Sequence, residues 1–218
     1  MSIREKLLQR PDIEAIIQSI QNQLADESIR RHDFLQWVDE SIKAEFINGE
    51  IILHSPVKAR HLNVTDLLST SMSFYARLNQ LGRVFVEKAM VHLTRNDYEP
   101  DIVFYRKEIS DTFTDDLMLF PAPDLVVEIL SKRTAKRDRG IKFEDYAFHQ
   151  IPEYWIIDPE KEFVELYFLS VDKTAYILSG KYQGEAIIKS RAMPGFTIPA
   201  EAIFDEQANT VALKELMG

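Results

Sequence analysis

Asp124-Leu125-Val126-Val127-Glu128-Ile129-Leu130 is an aliphatic run with a single carboxylate near its centre. It is too short for a typical helix, and it predicts a strand buried on both faces. Glutamate is almost never fully buried unless it is paired or bound to a metal. Burying its charge without compensation costs several kcal/mol or forces protonation. Glu128 is therefore either an acid pointing to water from an edge strand or a functional acid inside the fold. Its aliphatic neighbours favour the second reading.

Upstream, Glu99-Pro100-Asp101 opens a strand predicted over 101–105. Alone, Pro-Asp reads as a turn. As a partner for Glu128, Asp101 gains a second meaning. Carboxylates on adjacent strands suit Mg²⁺ or Mn²⁺, which take oxygen ligands. Such an ion polarises a phosphoryl oxygen and lowers the pKa of a bound water. A backbone carbonyl beside Glu128, such as that of Ile129, would complete the protein ligands. Downstream, a helix predicted over 135–149 carries Asp138, Lys142 and Tyr146 at i, i+4 and i+8, on one face. Lys142 is then either half of a surface ion pair or an ammonium aimed at the metal site.

Glu45 and His61 are weaker candidates, because a lone histidine at a helix start is more often a capping or packing residue. His32, His54, His92 and His149 show no metal-ligand spacing. The chain has no phosphate-binding glycine loop and no GxSxG, which disfavours nucleotide-dependent enzymes and serine hydrolases.

The bulk properties bound these readings. At 218 residues and 45% hydrophobic, the chain suits one α/β domain with a small extension. The absence of cysteine excludes disulfides, a thiolate zinc site and a cysteine nucleophile, and fits a reducing compartment. No run approaches the roughly 20 apolar residues of a membrane-spanning helix. The N-terminus has no signal-peptide pattern, so a cytoplasmic protein without membrane contact is expected. A net charge of −9 taken alone argues against nucleic acid as partner. The distribution matters more, because residues 132–142 hold six basic side chains and one acid. Lys132, Arg133, Lys136 and Arg137 in this segment are candidates for phosphate contacts, or else form an ordinary solvated face.

Periodicity predicts a helix over 3–25, with Ser28 or Asp33 capping a short second one. Residues 1–30 read as a helical extension and 31–218 as a single domain. Asn48-Gly49 predicts a hairpin. A helix over 58–81 should turn Leu62, Leu67, Leu68, Met72, Tyr75 and Leu78 to the core. Strands are predicted over 83–93, 153–157, 162–169, 174–181 and 186–191, with a polar loop over 106–122. Tyr154, Trp155, Phe163, Tyr167 and Phe168 are expected in the core or at an interface.

Taken together, Glu99-Pro100-Asp101, Pro123 to Ser131, Asp138, Lys142, Tyr146 and Ile151-Pro152-Glu153-Tyr154-Trp155-Ile156-Ile157-Asp158-Pro159 closely resemble the Uma-two family, also known as domain of unknown function eight-twenty. The Phe46 to Glu50 hairpin, His61 and Met193-Pro194-Gly195-Phe196 match as well. The resemblance spans about residues 33–204. It implies a PD-(D/E)XK restriction-endonuclease-like core, a mixed central sheet flanked by helices, here with additional antiparallel strands. It implies that Asp101 stands for the PD aspartate and Glu128 for the (D/E)XK acid. Leu130 occupies the lysine position of that motif, and Lys142 on the following helix is its substitute, with Glu45 as an extra acid. The function implied is metal-dependent hydrolysis of phosphodiester bonds in DNA by a homodimer, since cutting both strands with one site per chain takes two copies. The alternative is an inactive module that keeps the fold for nucleic-acid binding or oligomerisation.

Overall fold

The structure is a computed structural model that describes residues 3–217. The chain divides into two compact units, one up to His54 and one from Ser55 onward.

The first unit holds α1 (Ile3–Leu8), α2 (Ile13–Trp37), β1 (Ala44–Ile47) and β2 (Glu50–Leu53). The helix expected over 3–25 is interrupted at Pro11, whose ring lacks an N–H for the helix ladder. From Ile13 the chain stays helical to Trp37, so Ser28 and Asp33 lie inside the helix rather than capping a new one. The boundary expected at residue 30 also falls inside α2. The hairpin forms as expected, with Asn48 and Gly49 both at positive φ (51° and 85°). It is anchored to the C-terminal half of α2. Phe34 stacks on Phe46 with ring centroids 5.6 Å apart, and Arg30 Nε donates to the Gly49 carbonyl at 3.0 Å.

The second unit begins with α3 (Ala59–Leu78), β3 (Gly82–Val86), β4 (Met90–His92), β5 (Asp97–Tyr98) and β6 (Ile102–Arg106). It continues through α4 (Lys107–Ser110), β7 (Leu119–Phe120), β8 (Leu125–Ile129), α5 (Ala135–Asp138) and α6 (Ile141–Phe148). It closes with β9 (Glu153–Asp158), β10 (Phe163–Leu169), β11 (Tyr176–Tyr182), β12 (Ile187–Lys189), β13 (Thr197–Pro199) and α7 (Glu206–Leu216). Six strands form a mixed sheet in the order β11-β10-β9-β8-β6-β3. Within this sheet only the β8–β9 pair is parallel.

Every residue of β8 is buried, as its aliphatic run requires. Strand alternation separates its two faces. Leu125, Val127 and Ile129 join Ile102, Phe104, Trp155 and Ile157 in one core with Val64, Leu68 and Met72 of α3. Val126 and Glu128 point to the other face. There Tyr154 of β9 meets Tyr146 and Phe143 of α6 edge-on.

Several elements depart from expectation. Leu62 and Leu78 of α3 are about half exposed, and the core line runs through Val64, Leu67, Leu68, Met72 and Ala76 instead. The strand expected over 83–93 is broken, because Glu87 and Lys88 take left-handed backbone (φ 49° and 51°). The segment 106–122 contains α4 and β7. The helix expected over 135–149 is split at Gly140, where a Cβ would stand 2.8 Å from the Lys136 carbonyl oxygen. The third late strand pairs only with β13, which was not expected. Tyr154, Trp155, Phe163 and Phe168 are buried and Tyr167 is half-buried, so these aromatics fill the core. Among the described residues, no helix is long and apolar enough to cross a membrane.

Candidate metal centre

β6 and β8 run antiparallel with Ile102 opposite Val127. Continuing that register by one pair sets Asp101 opposite Glu128. Directly opposed residues of an antiparallel pair project from the same face. Both positions thus lie at one end of the sheet.

Asp101 is held at both carboxylate oxygens. Its Oδ2 accepts the Ile129 backbone N–H at 2.7 Å, and its Oδ1 lies 3.2 Å from His61 Nε2. His61 sits in the first turn of α3, which delivers it to this end of the sheet. Its Nδ1 is buried and has no hydrogen-bond partner among the described residues. Glu87 arrives by the left-handed kink after β3, and its backbone N–H donates to the Asp101 carbonyl at 3.0 Å. One ligand atom from each of His61, Glu87 and Asp101 lies within 4.8 Å of the others. The 3.2 Å between His61 and Asp101 is also the spacing of neighbouring ligands on one small divalent ion, about 3 Å for bonds of about 2.1 Å. Two carboxylates and an imidazole therefore fit a divalent cation. A mixed nitrogen and oxygen set suits Mn²⁺ better than Mg²⁺, which prefers oxygen alone.

Glu128 has its own partners. Lys142 Nζ and Tyr146 Oη both donate to Glu128 Oε1 at 2.9 Å. All three side chains are buried. Asp138 Oδ1 is 3.8 Å from Lys142 Nζ, and the Lys142 ammonium stands 5.6 Å from the Tyr98 ring centre. The break at Gly140 does not separate Asp138, Lys142 and Tyr146, which still converge on one site. Lys142 is thus a buried ammonium directed at Glu128. The negative surroundings are felt by Tyr154, whose hydroxyl is held well above its usual pKa by burial and then by the charges of Glu128 and Asp138.

The other expected residues make these contacts. Ile129 meets Asp101 through its N–H. Glu45 is buried on β1 of the first unit, with His54 Nε2 3.3 Å from its Oε2. Lys132, Arg133 and Lys136 are exposed and Arg137 is half-buried. Arg133 donates to Ser55 Oγ at 2.5 Å, and the buried Nε of Arg137 has no hydrogen-bond partner among the described residues. Arg139 is tied to Glu165. Sequence reasoning missed Glu87, which offers no signal because neither glycine nor proline marks its kink. Nor does the sequence bring His61 beside Asp101, which only the fold does.

Residues 31–201 match the family Uma2, described as "Putative restriction endonuclease". The chain belongs to the Uma2 family. An uncharacterized protein of Synechocystis sp. (strain ATCC 27184 / PCC 6803 / Kazusa) is 30% identical to this Uma2 protein over 131 residues, covering 58% of this chain and 72% of its own. A crystal structure described as "a putative nuclease belonging to DUF820 from Anabaena variabilis" superposes with a TM-score of 0.67 at 17% identity. That match covers 78% of this chain and 94% of the other. The mixed sheet flanked by helices is thus the restriction-endonuclease-like core that the family resemblance implied.

Proposed function

We propose that this Uma2 protein is a metal-dependent endonuclease that hydrolyses phosphodiester bonds of DNA. The observation that carries this reading is the gathering of His61, Glu87 and Asp101 at the sheet end where Glu128 holds the buried Lys142. Asp101, His61 and Glu87 would hold a divalent ion, Mn²⁺ in preference to Mg²⁺. Glu128 and the Ile129 backbone would adjoin it. Such an ion supplies polarisation of a phosphoryl oxygen and a water of lowered pKa.

The protein's own groups do the rest. Lys142, hydrogen-bonded to the Glu128 carboxylate, would face the negative charge that develops on the phosphoryl group, in a site shielded from water. It thereby takes the part of the lysine that Leu130 replaces. Tyr146 and Tyr98 confine the ammonium, which removes reorganisation from the step. Lys132, Arg133 and Lys136 contribute exposed positive charge for the DNA backbone on an otherwise acidic chain.

The test is nicking of supercoiled plasmid in Mn²⁺ or Mg²⁺. Wild type should nick, and Asp101→Ala, Glu128→Ala and Lys142→Ala should lose at least about a hundredfold in rate. Wild type that is inert with every metal, or variants as active as wild type, would overturn the reading. An inert protein that still binds DNA would instead be a nuclease fold kept for binding.

A further inference from the structure

The N-terminal half of α2 carries an apolar face that the first unit leaves uncovered. Ile17, Ile20 and Leu24 are 45–48% exposed, and Ile13 is half-buried. The only buried residues of the helix are Glu27 and Phe34, both in the half held by the hairpin. The spacing 13, 17, 20, 24 alternates four and three, which is the heptad seam of a coiled coil. Residues 15–25, Ala-Ile-Ile-Gln-Ser-Ile-Gln-Asn-Gln-Leu-Ala, contain no charged side chain. An exposed helix face in a chain that is 28% charged would ordinarily carry several. The family match begins at residue 31, so this half of the helix lies outside it.

We propose that this face is a homodimer interface, formed by antiparallel packing of α2 against α2 of a second copy. The pattern is self-complementary about a two-fold axis between Gln18 and Ser19. Ile13 then meets the partner's Leu24, and Ile17 meets the partner's Ile20, so one small seam closes on itself as an isologous contact requires. Charge selects the same orientation. The only charged residue of 13–25 is Glu14, which the antiparallel pairing sets among glutamines, whereas a parallel pairing would bring the two copies of Glu14 close together. The seam spans about 18 Å, from 12 residues at about 1.5 Å each. A seam of this length is smaller than the standard specific interface, which begins near about 1,200 Å² in total. The dimer is therefore a reversible one, formed at micromolar concentration.

Sedimentation velocity on the full chain over about 1–200 µM tests this, in the dissociation range that an interface of this size implies. Wild type should pass from monomer to dimer, and Ile17→Glu/Ile20→Glu should stay monomeric with unchanged helix content by circular dichroism. Orientation is read by disulfide trapping, which the absence of native cysteine makes clean. Ile13→Cys and Leu24→Cys proteins mixed under oxidation should give the 13–24 cross-link, and Ile13→Cys alone should not cross-link to itself. A wild type that remains monomeric throughout, a glutamate variant that still dimerises, or a preferred 13–13 cross-link would overturn the proposal.

Discussion

Glu128 and Lys142 form a buried ion pair, with Tyr146 also on Glu128 and Asp138 near Lys142. Removing one partner of such a pair leaves an uncompensated charge and costs about 3–5 kcal/mol. Lys142→Ala should therefore lower unfolding free energy by that amount in urea titrations. Glu128→Leu with Lys142→Met should lose much less, because an apolar pair of similar volume avoids the desolvation cost. Tyr146→Phe removes one donor to a charged acceptor and should cost about 1.5–3 kcal/mol. The need of Glu128 for a partner was legible in its aliphatic run, and helical spacing put Asp138, Lys142 and Tyr146 on one face, but the direct Lys142–Glu128 contact was not. Glu87 was illegible for a physical reason. Its place depends on two successive non-glycine residues in left-handed backbone, which residue type does not announce.

At the scale of elements, Gly140 sets where α6 starts and so where Lys142 points. A methyl group there would collide with the Lys136 carbonyl oxygen at 2.8 Å. Gly140→Ala should cost about 1–3 kcal/mol through overpacking. It should also reduce nicking more than a surface alanine on α6 does. Glu153, at the start of β9, ties the β12–β13 connection to the sheet. It accepts the Trp155 indole N–H at 2.6 Å and the Arg191 and Ala192 backbone N–H groups at 2.7 Å. Burial pushes its carboxyl above the usual glutamate range, and these donors oppose that shift. Glu153→Gln places an amide among donors and should destabilise by about 1–3 kcal/mol in the same urea assay. Types of element were readable from periodicity, most clearly the hairpin at Asn48-Gly49 and the buried strand β8. Breaks were not, because helix and strand periods continue through Gly140 and Glu87 while the backbone does not.

At the scale of the whole molecule, the acidic chain keeps a local positive segment in Lys132, Arg133, Lys136 and Arg137. Neutralising all four should flatten the dependence of log affinity for duplex DNA on log salt, by up to about 0.9 for each phosphate that they neutralise in the wild type. Arg137 should contribute least, because its Nε is buried. Tyr105, Tyr154 and Tyr176 have hydroxyls raised by burial. Above an ordinary tyrosine pKa of 10 the unfolded chain releases these protons and the folded chain holds them. Stability should thus fall as pH rises past that value, and ultraviolet titration should show these three ionising only as the fold is lost. The family and the fold were legible in the sequence from the order and spacing of its acid-bearing and aromatic segments. The clustering of His61, Glu87 and Asp101 was not, because it joins a helix start, a kink and a strand end.

The central claim is that one divalent ion sits among His61, Glu87 and Asp101. Anomalous diffraction from a crystal soaked in Mn²⁺ tests it directly. A single peak within bonding distance of those three side chains, close to Glu128, is the expected result. No peak there, or a peak held by other residues, would contradict the account.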